Sequence, residues 1–223
     1  MLQLGGRRAL ITGGSKGVGL ACAHGLAAEG VNLAIAARTV GPLKDATRLL
    51  RDAYDIEVTS HSCDLSRSDH QGALAEVVGP VDILVNNAGT IPDGDLLTVD
   101  EGRWRQAWDL KVFGYLNLCR LLLPMMTRRG SGVIINVIGA AGEGPTAEQL
   151  AGVAGRSALE AATTALGSAS ALDGVRVVGV TIPSDLDDGG TARVADVVSF
   201  LASDRASMVS GTVLTVDGGA GGR

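Results

Sequence analysis

The sequence predicts an α/β fold: a parallel sheet of about seven strands, doubly wound with helices on both faces, in one domain over residues 1–223. Three observations predict it. Short β-branched runs alternate with helical stretches almost from end to end. The strands are nearly continuous in apolar character, as strands covered on both faces are. A glycine-rich turn follows the first strand and opens the first helix.

The first strand is RRALIT (7–12), followed by the turn TGGSKGVG (12–19) and the helical LACAHGLAAEG. VNLAIAA (31–37) is the second strand, and the helix after it carries Tyr54. IEVTS (56–60) is the third, with His61 just beyond it and His70 on the next helix. VDILVNN (81–87) leads into a long helix containing WRQAWDLKVFGYLNLCR (104–120). On that helix Trp104, Trp108, Lys111, Tyr115, Leu118 and Leu122 recur at steps of four and three and share one face. GVIINVI (132–138), VRVVGVTI (175–182) and TVLTVD (212–217) complete the strands, separated by the helices ending RSALEAATTALG and beginning ARVADVVSFLAS.

Composition bounds the function. With 46% apolar residues and mean hydropathy +0.26, the chain has enough apolar material for a sizeable core. A net charge of −5 gives no footprint for a nucleic-acid backbone or an anionic membrane. Cys22, Cys63 and Cys119 are odd in number and set in apolar segments, so they read as reduced thiols, with no metal site. The apolar run LCRLLLPMM is far too short to span a bilayer, and the expected location is the cytoplasm.

The turn after the first strand has glycines at Gly13, Gly17 and Gly19, with Ser15 and Lys16 between them. Such a turn lets the backbone approach a diphosphate, which the N-terminus of the next helix stabilises in a Rossmann-type dinucleotide site. Arg38 lies just past the second strand, where the group that meets the adenosine ribose sits. Arg38 and Lys16 together favour the 2′-phosphate of NADP(H) over NAD(H).

TGGSKGVG, the CDL at 63–65, NNAG at 86–89, IINVIGAAG and the C-terminal FLASDRASMVSGTVLTVDGG resemble the short-chain dehydrogenase/reductase family over essentially the whole chain. The resemblance implies that Asp64 and Leu65 border the adenine, and that Asn86, Asn87, Ala88 and Gly89 support the fourth strand and the adenosine ribose. It implies a homodimer or homotetramer. A smooth helix face of Ala151, Gly152, Ala154, Gly155 and Ala158 fits such packing.

At the chemical end the pattern breaks. The family reduces a carbonyl, or oxidises an alcohol, with Ser, Tyr, Lys and Asn. A hydroxyl must protonate the oxygen that gains charge while a cation holds the donor's pKa down. Residue by residue, the resemblance places Gly139 at the serine position, Gly152 at the tyrosine, Arg156 at the lysine and Lys111 at the asparagine. Glycine has no proton to donate and arginine does not titrate usefully. The catalytic candidates are therefore Lys111 and Arg156. Lys111 either reaches into the space left at Gly139 and Gly152, holding the nicotinamide ribose or acting as an acid or base, or snorkels out at an oligomer seam. Tyr115 reads as core packing, and Glu143, Glu148 and Asp185 follow strand ends as candidates or as plain loop carboxylates.

After the sixth strand, IPSDLDDGGT runs almost directly into the last helix. Pro183 and Thr191 remain as nicotinamide contacts, but the substrate lid expected of the family is shortened. Two functions stay open. One is an atypical NADP(H)-dependent oxidoreductase on a carbonyl or alcohol. The other is a cofactor-binding protein without redox turnover: a sensor, a partner subunit of an active relative, or an isomerase, cyclase or dehydratase. A dehalogenase-like chemistry is suggested by Arg156 alone and opposed by the intact glycine loop.

Overall fold

The computed structural model describes residues 2–92, 94–139, 146–183 and 186–218. Seven parallel strands form one sheet: β1 (Arg8–Thr12), β2 (Asn32–Ala37), β3 (Val58–Ser62), β4 (Ile83–Asn86), β5 (Gly132–Gly139), β6 (Val175–Thr181) and β7 (Val213–Thr215). Their order is β3-β2-β1-β4-β5-β6-β7. The chain winds one way from β1 and the other way from β4. The loops after these two strands therefore part, leaving a crevice at the carboxyl end where open α/β sheets bind ligands.

Alternate strand residues face opposite layers, and both layers are apolar. Ile11, Ile35, Val85 and Ile135 pack beneath α1 (Gly17–Ala28), α2 (Val40–Ala53) and α7 (Asp188–Ala202). Leu10, Ala34, Leu84 and Ile134 pack on the other face, against α3 (Ser68–Val78) and α5 (Gly114–Arg129). Close approach of α1 to α7 requires Gly25, where a Cβ would stand 2.9 Å from the Ser199 hydroxyl. Among the described residues no helix is long and apolar enough to cross a membrane.

Two expectations need correction. The third strand lies at Val58–Ser62, two residues later than 56–60, and so contains His61. Its register is set by pairing, Leu33 with Val58 through Ala37 with Ser62, because this half-exposed edge strand carries little apolar pattern of its own. The long helix is also not uniform. After α4 (Glu101–Trp108), a π-helical turn at Asp109–Phe113 precedes α5. That wider turn buries Lys111 and Val112 and leaves Phe113 outside. Trp104 and Trp108 are only half-buried. Of the small-residue face, Ala151 and Gly155 are buried within the chain; a Cβ on Gly155 would strike Ile91.

Candidate active site

The crevice is built first by Thr12, the last residue of β1. Its hydroxyl accepts from the backbone N–H groups of Asn87 (2.9 Å) and Ala88 (3.1 Å), and the Asn87 amide donates to the Thr12 carbonyl at 3.1 Å. The turn after β4 is thereby clamped to the glycine loop. Gly13 has φ +68°, and a Cβ there would lie 2.8 Å from the Asn87 amide nitrogen. Gly17, at φ +53°, faces open space, while a Cβ on Gly19 would run into the Gly13 carbonyl. Lys16 caps α1 in extended conformation without a side-chain hydrogen bond, and no acidic residue stands in the first turn. The helix therefore presents unsatisfied N–H groups and its positive end to the loop. A dinucleotide diphosphate fits this cradle; Ser15 is half-buried in it and Lys16 exposed at its rim.

At the β2–β3 side, Arg38 is exposed and its carbonyl accepts from the Ser62 hydroxyl at 3.2 Å. Asp64 lies close enough to feel the Arg38 charge. The Ser66 hydroxyl and N–H, followed by Arg38 and His70, hold the Asp64 carboxyl below its ordinary range. His70, on the helix after β3, accepts the Asp64 N–H at 3.1 Å. Leu65 is buried in the core.

Asn86 is fully buried, so it serves the sheet. Its amide donates to Asn136 at 2.9 Å, and Asn136 donates to Thr163 on α6 (Leu150–Ser170) at 2.9 Å. This tie between β4, β5 and α6 was invisible in the sequence because three distant polar residues meet only in the folded sheet. Ala88 and Gly89 are half-buried, and Gly89, at φ +90°, packs on Leu110.

At the chemical end, Lys111 turns inward. It is 4% exposed, and its ammonium donates to the Tyr115 hydroxyl at 2.7 Å and to the Val137 carbonyl at 2.8 Å. Tyr115 donates to the same carbonyl at 2.9 Å. The reason lies in the sheet: pairing of β4 with β5 stops at Asn86–Asn136, and the next carbonyl of β5 is capped by these two side chains. Burial pushes Lys111 down to about 7 and Tyr115 well up. The snorkelling alternative is thus overturned by the hydrogen bonds, and Tyr115 is both a core residue and a polar anchor. The lysine does not fill the space at Gly139. Apart from its chain neighbours, no described residue comes within 4 Å of a Cβ built there, and Gly139 has φ +100° beside a β5–β6 register shift.

Gly152 is half-buried in the first turn of α6, and Arg156, one turn on, sits with its Nε 3.6 Å from Glu160. Glu148 is exposed, and Glu143 and Asp185 lie outside the described residues. Pro183 is half-buried after β6. Thr191 stands in the first turn of α7, its hydroxyl donating to the Asp188 carbonyl at 2.8 Å. The α7 N-terminus is capped by Asp187, which accepts from the Gly190 N–H at 2.6 Å, so only residues 182–187 join β6 to α7.

The short chain dehydrogenase family model matches residues 7–186. The chain belongs to the short-chain dehydrogenase/reductase family. It is 31% identical to a 3-oxoacyl-acyl-carrier-protein reductase of Staphylococcus epidermidis, over 96% of this chain and 98% of that protein. It is 30% identical to the L-tagatose-forming galactitol 2-dehydrogenase of Cereibacter sphaeroides, over 98% and 96%. Among solved structures, L-sorbose reductase from Gluconobacter frateurii, complexed with NADPH and L-sorbose, superposes with a TM-score of 0.91 at 28% identity, covering 100% of this chain and 99% of that one. Membership in this oxidoreductase family accounts for the glycine loop, the strand order and the NNAG turn together.

Proposed function

We propose that the protein binds NADP(H) across the carboxyl end of the sheet and acts as an atypical oxidoreductase on a carbonyl or alcohol. The observation that carries this reading is the uncapped N-terminus of α1 beneath the glycine loop, with Lys16 and Arg38 exposed beside it. Gly13, Ser15, Gly17 and Gly19 form the diphosphate cradle, Lys16 and Arg38 meet the 2′-phosphate, and Asp64 with Leu65 borders the adenine. Asn86, Asn87, Ala88 and Gly89 hold the floor of the crevice, and Pro183 and Thr191 flank the nicotinamide. When bound, the reduced dinucleotide supplies a hydride. The similar sorbose reductase was solved with NADPH, which supports the phosphate-bearing form of the cofactor here.

The family's acid is missing: Gly139 and Gly152 carry no dissociable proton, and Arg156 supplies fixed positive charge only. General acid catalysis contributes roughly 10²–10⁴-fold, so turnover on ordinary ketones is expected to be slow. A second reading, a cofactor-binding protein without redox turnover, is favoured by one observation. Gly139, which the resemblance places at the serine position, has φ +100°, a backbone conformation that serine adopts only under strain. A homodimer or homotetramer is part of either reading.

The deciding experiment is calorimetric titration with NADPH, NADP⁺, NADH and NAD⁺ in wild type and Arg38→Asp. Micromolar binding of NADPH, weakened at least tenfold in the variant, is expected from loss of a charge-assisted phosphate contact of about 1.5–3 kcal/mol. No binding of any of the four nucleotides would end the dinucleotide reading.

A further inference from the structure

The strand order fixes which half of a dinucleotide lies where. With Arg38 and Asp64 at the β2–β3 side, a cofactor crossing the crevice brings its nicotinamide half over β4 and β5. Oxidised and reduced nicotinamide differ by one positive charge on the ring. At the carboxyl end of β5 the chain has placed a second, buried cation: the Lys111 ammonium is fixed on the Val137 carbonyl, two residues before Gly139, by a triangle of hydrogen bonds with Tyr115. At 4% exposure, water screens that charge poorly. Gly139, two residues further along β5, carries no side chain, and apart from its chain neighbours no described residue comes within 4 Å of a Cβ built there.

We propose that Lys111 determines which redox form of the dinucleotide the site prefers, its ammonium opposing the charge that oxidised nicotinamide carries and the reduced ring lacks. This rests on the dinucleotide reading above. Among the described residues, the neighbouring charged side chains are exposed or paired with each other, and Asp109, on the same turn, is exposed. Gly132–Gly139 contains no ionisable side chain. On α6, Arg156 is beside Glu160 at 3.6 Å. On α5, Tyr115 is held neutral and burial pushes the Cys119 thiol up to about 12. On α4, Glu101 and Arg105 are exposed and paired with each other. Burial brings Lys111 to about 7, so its charge changes within the range where binding is measured.

The test is the ratio of Kd for NADP⁺ to Kd for NADPH between pH 6.5 and 9, in wild type, Lys111→Met and Lys111→Gln. The 2′-phosphate, Arg38, Asp64 and His70 act on both nucleotides alike and cancel in the ratio. In wild type the ratio rises as pH falls, about tenfold for each unit by which NADP⁺ lowers the lysine's pKa relative to NADPH. In both variants it is flat. Calorimetry near pH 7 in two buffers of different ionisation enthalpy gives an independent readout: NADP⁺ releases more protons on binding than NADPH does in wild type only. A pH-independent wild-type ratio, or the same pH dependence in the variants, overturns the proposal and leaves dinucleotide binding standing. Failure of both nucleotides to bind at any pH overturns both.

Discussion

Replacing Lys111 with methionine is expected to stabilise the protein at neutral pH, although it removes two buried hydrogen bonds. The amine drops from an ordinary 10.5 to about 7 on folding, and burial is the cause. At about 1.36 kcal/mol per unit, keeping a proton on this site below pH 7 costs the folded state up to about 5 kcal/mol. The sign follows from proton counts. Above pH 10.5 neither state holds the proton; between 10.5 and 7 the unfolded chain binds it and the folded chain does not, so stability falls as pH falls; below 7 the penalty is complete.

Methionine fills similar space without charge and orphans no polar group, because Tyr115 still donates to the Val137 carbonyl at 2.9 Å. Losing the two lysine hydrogen bonds offsets about 2 kcal/mol. The net gain at pH 6.5 is about 3 kcal/mol, equivalent to roughly 6–12 °C in Tm for a chain of this length. The gain shrinks to about zero near pH 9 and reverses beyond, since the hydrogen-bond loss alone then remains. Thermal or urea unfolding from pH 6 to 10, at one protein concentration, reads this directly. The raised thiols of Cys22, Cys63 and Cys119 impose an opposite slope above pH 9, common to both proteins, so the difference curve isolates the lysine. Parallel curves for wild type and variant, or a variant less stable at every pH, would refute the reasoning. A group that costs the fold this much, placed at the ligand end of the sheet, is what a functional site leaves in a structure.

Other expectations follow from the same geometry. Gly139→Ser is expected not to restore ketone reduction and to cost about 1–2 kcal/mol, because φ is +100°; urea midpoints and NADPH oxidation check both parts. Thr12→Val keeps the shape but leaves the Asn87 and Ala88 N–H groups without their acceptor, a loss of about 2–4 kcal/mol in unfolding free energy accompanied by weaker nucleotide binding. Cys22 and Cys119, buried and pushed up to about 12, are expected to resist a thiol reagent at pH 8 until the protein is denatured; prompt labelling of the native protein would contradict their placement.

The sequence determined the parts of this protein that depend on local pattern. Apolar runs spaced by helices specify a doubly wound parallel sheet because the inner strands, buried on both faces, admit few polar residues, and the glycines at 13, 17 and 19 mark a turn that larger residues would block. That Gly139 and Gly152 carry no dissociable proton is legible in the same way, since it depends only on residue identity. Tertiary structure alone decided where pairing begins and ends. β3 starts at Val58 because β2 holds it there, and its exposed side chains carry no signal of that register. For Lys111 the sequence allowed either burial or escape to solvent. The choice is made by a π-helical turn that rotates it inward and by the end of β4, which leaves a β5 carbonyl in need of a donor. The Asn86–Asn136–Thr163 tie is decided the same way, by residues up to 77 positions apart whose hydrogen bonds exist only once the sheet has assembled.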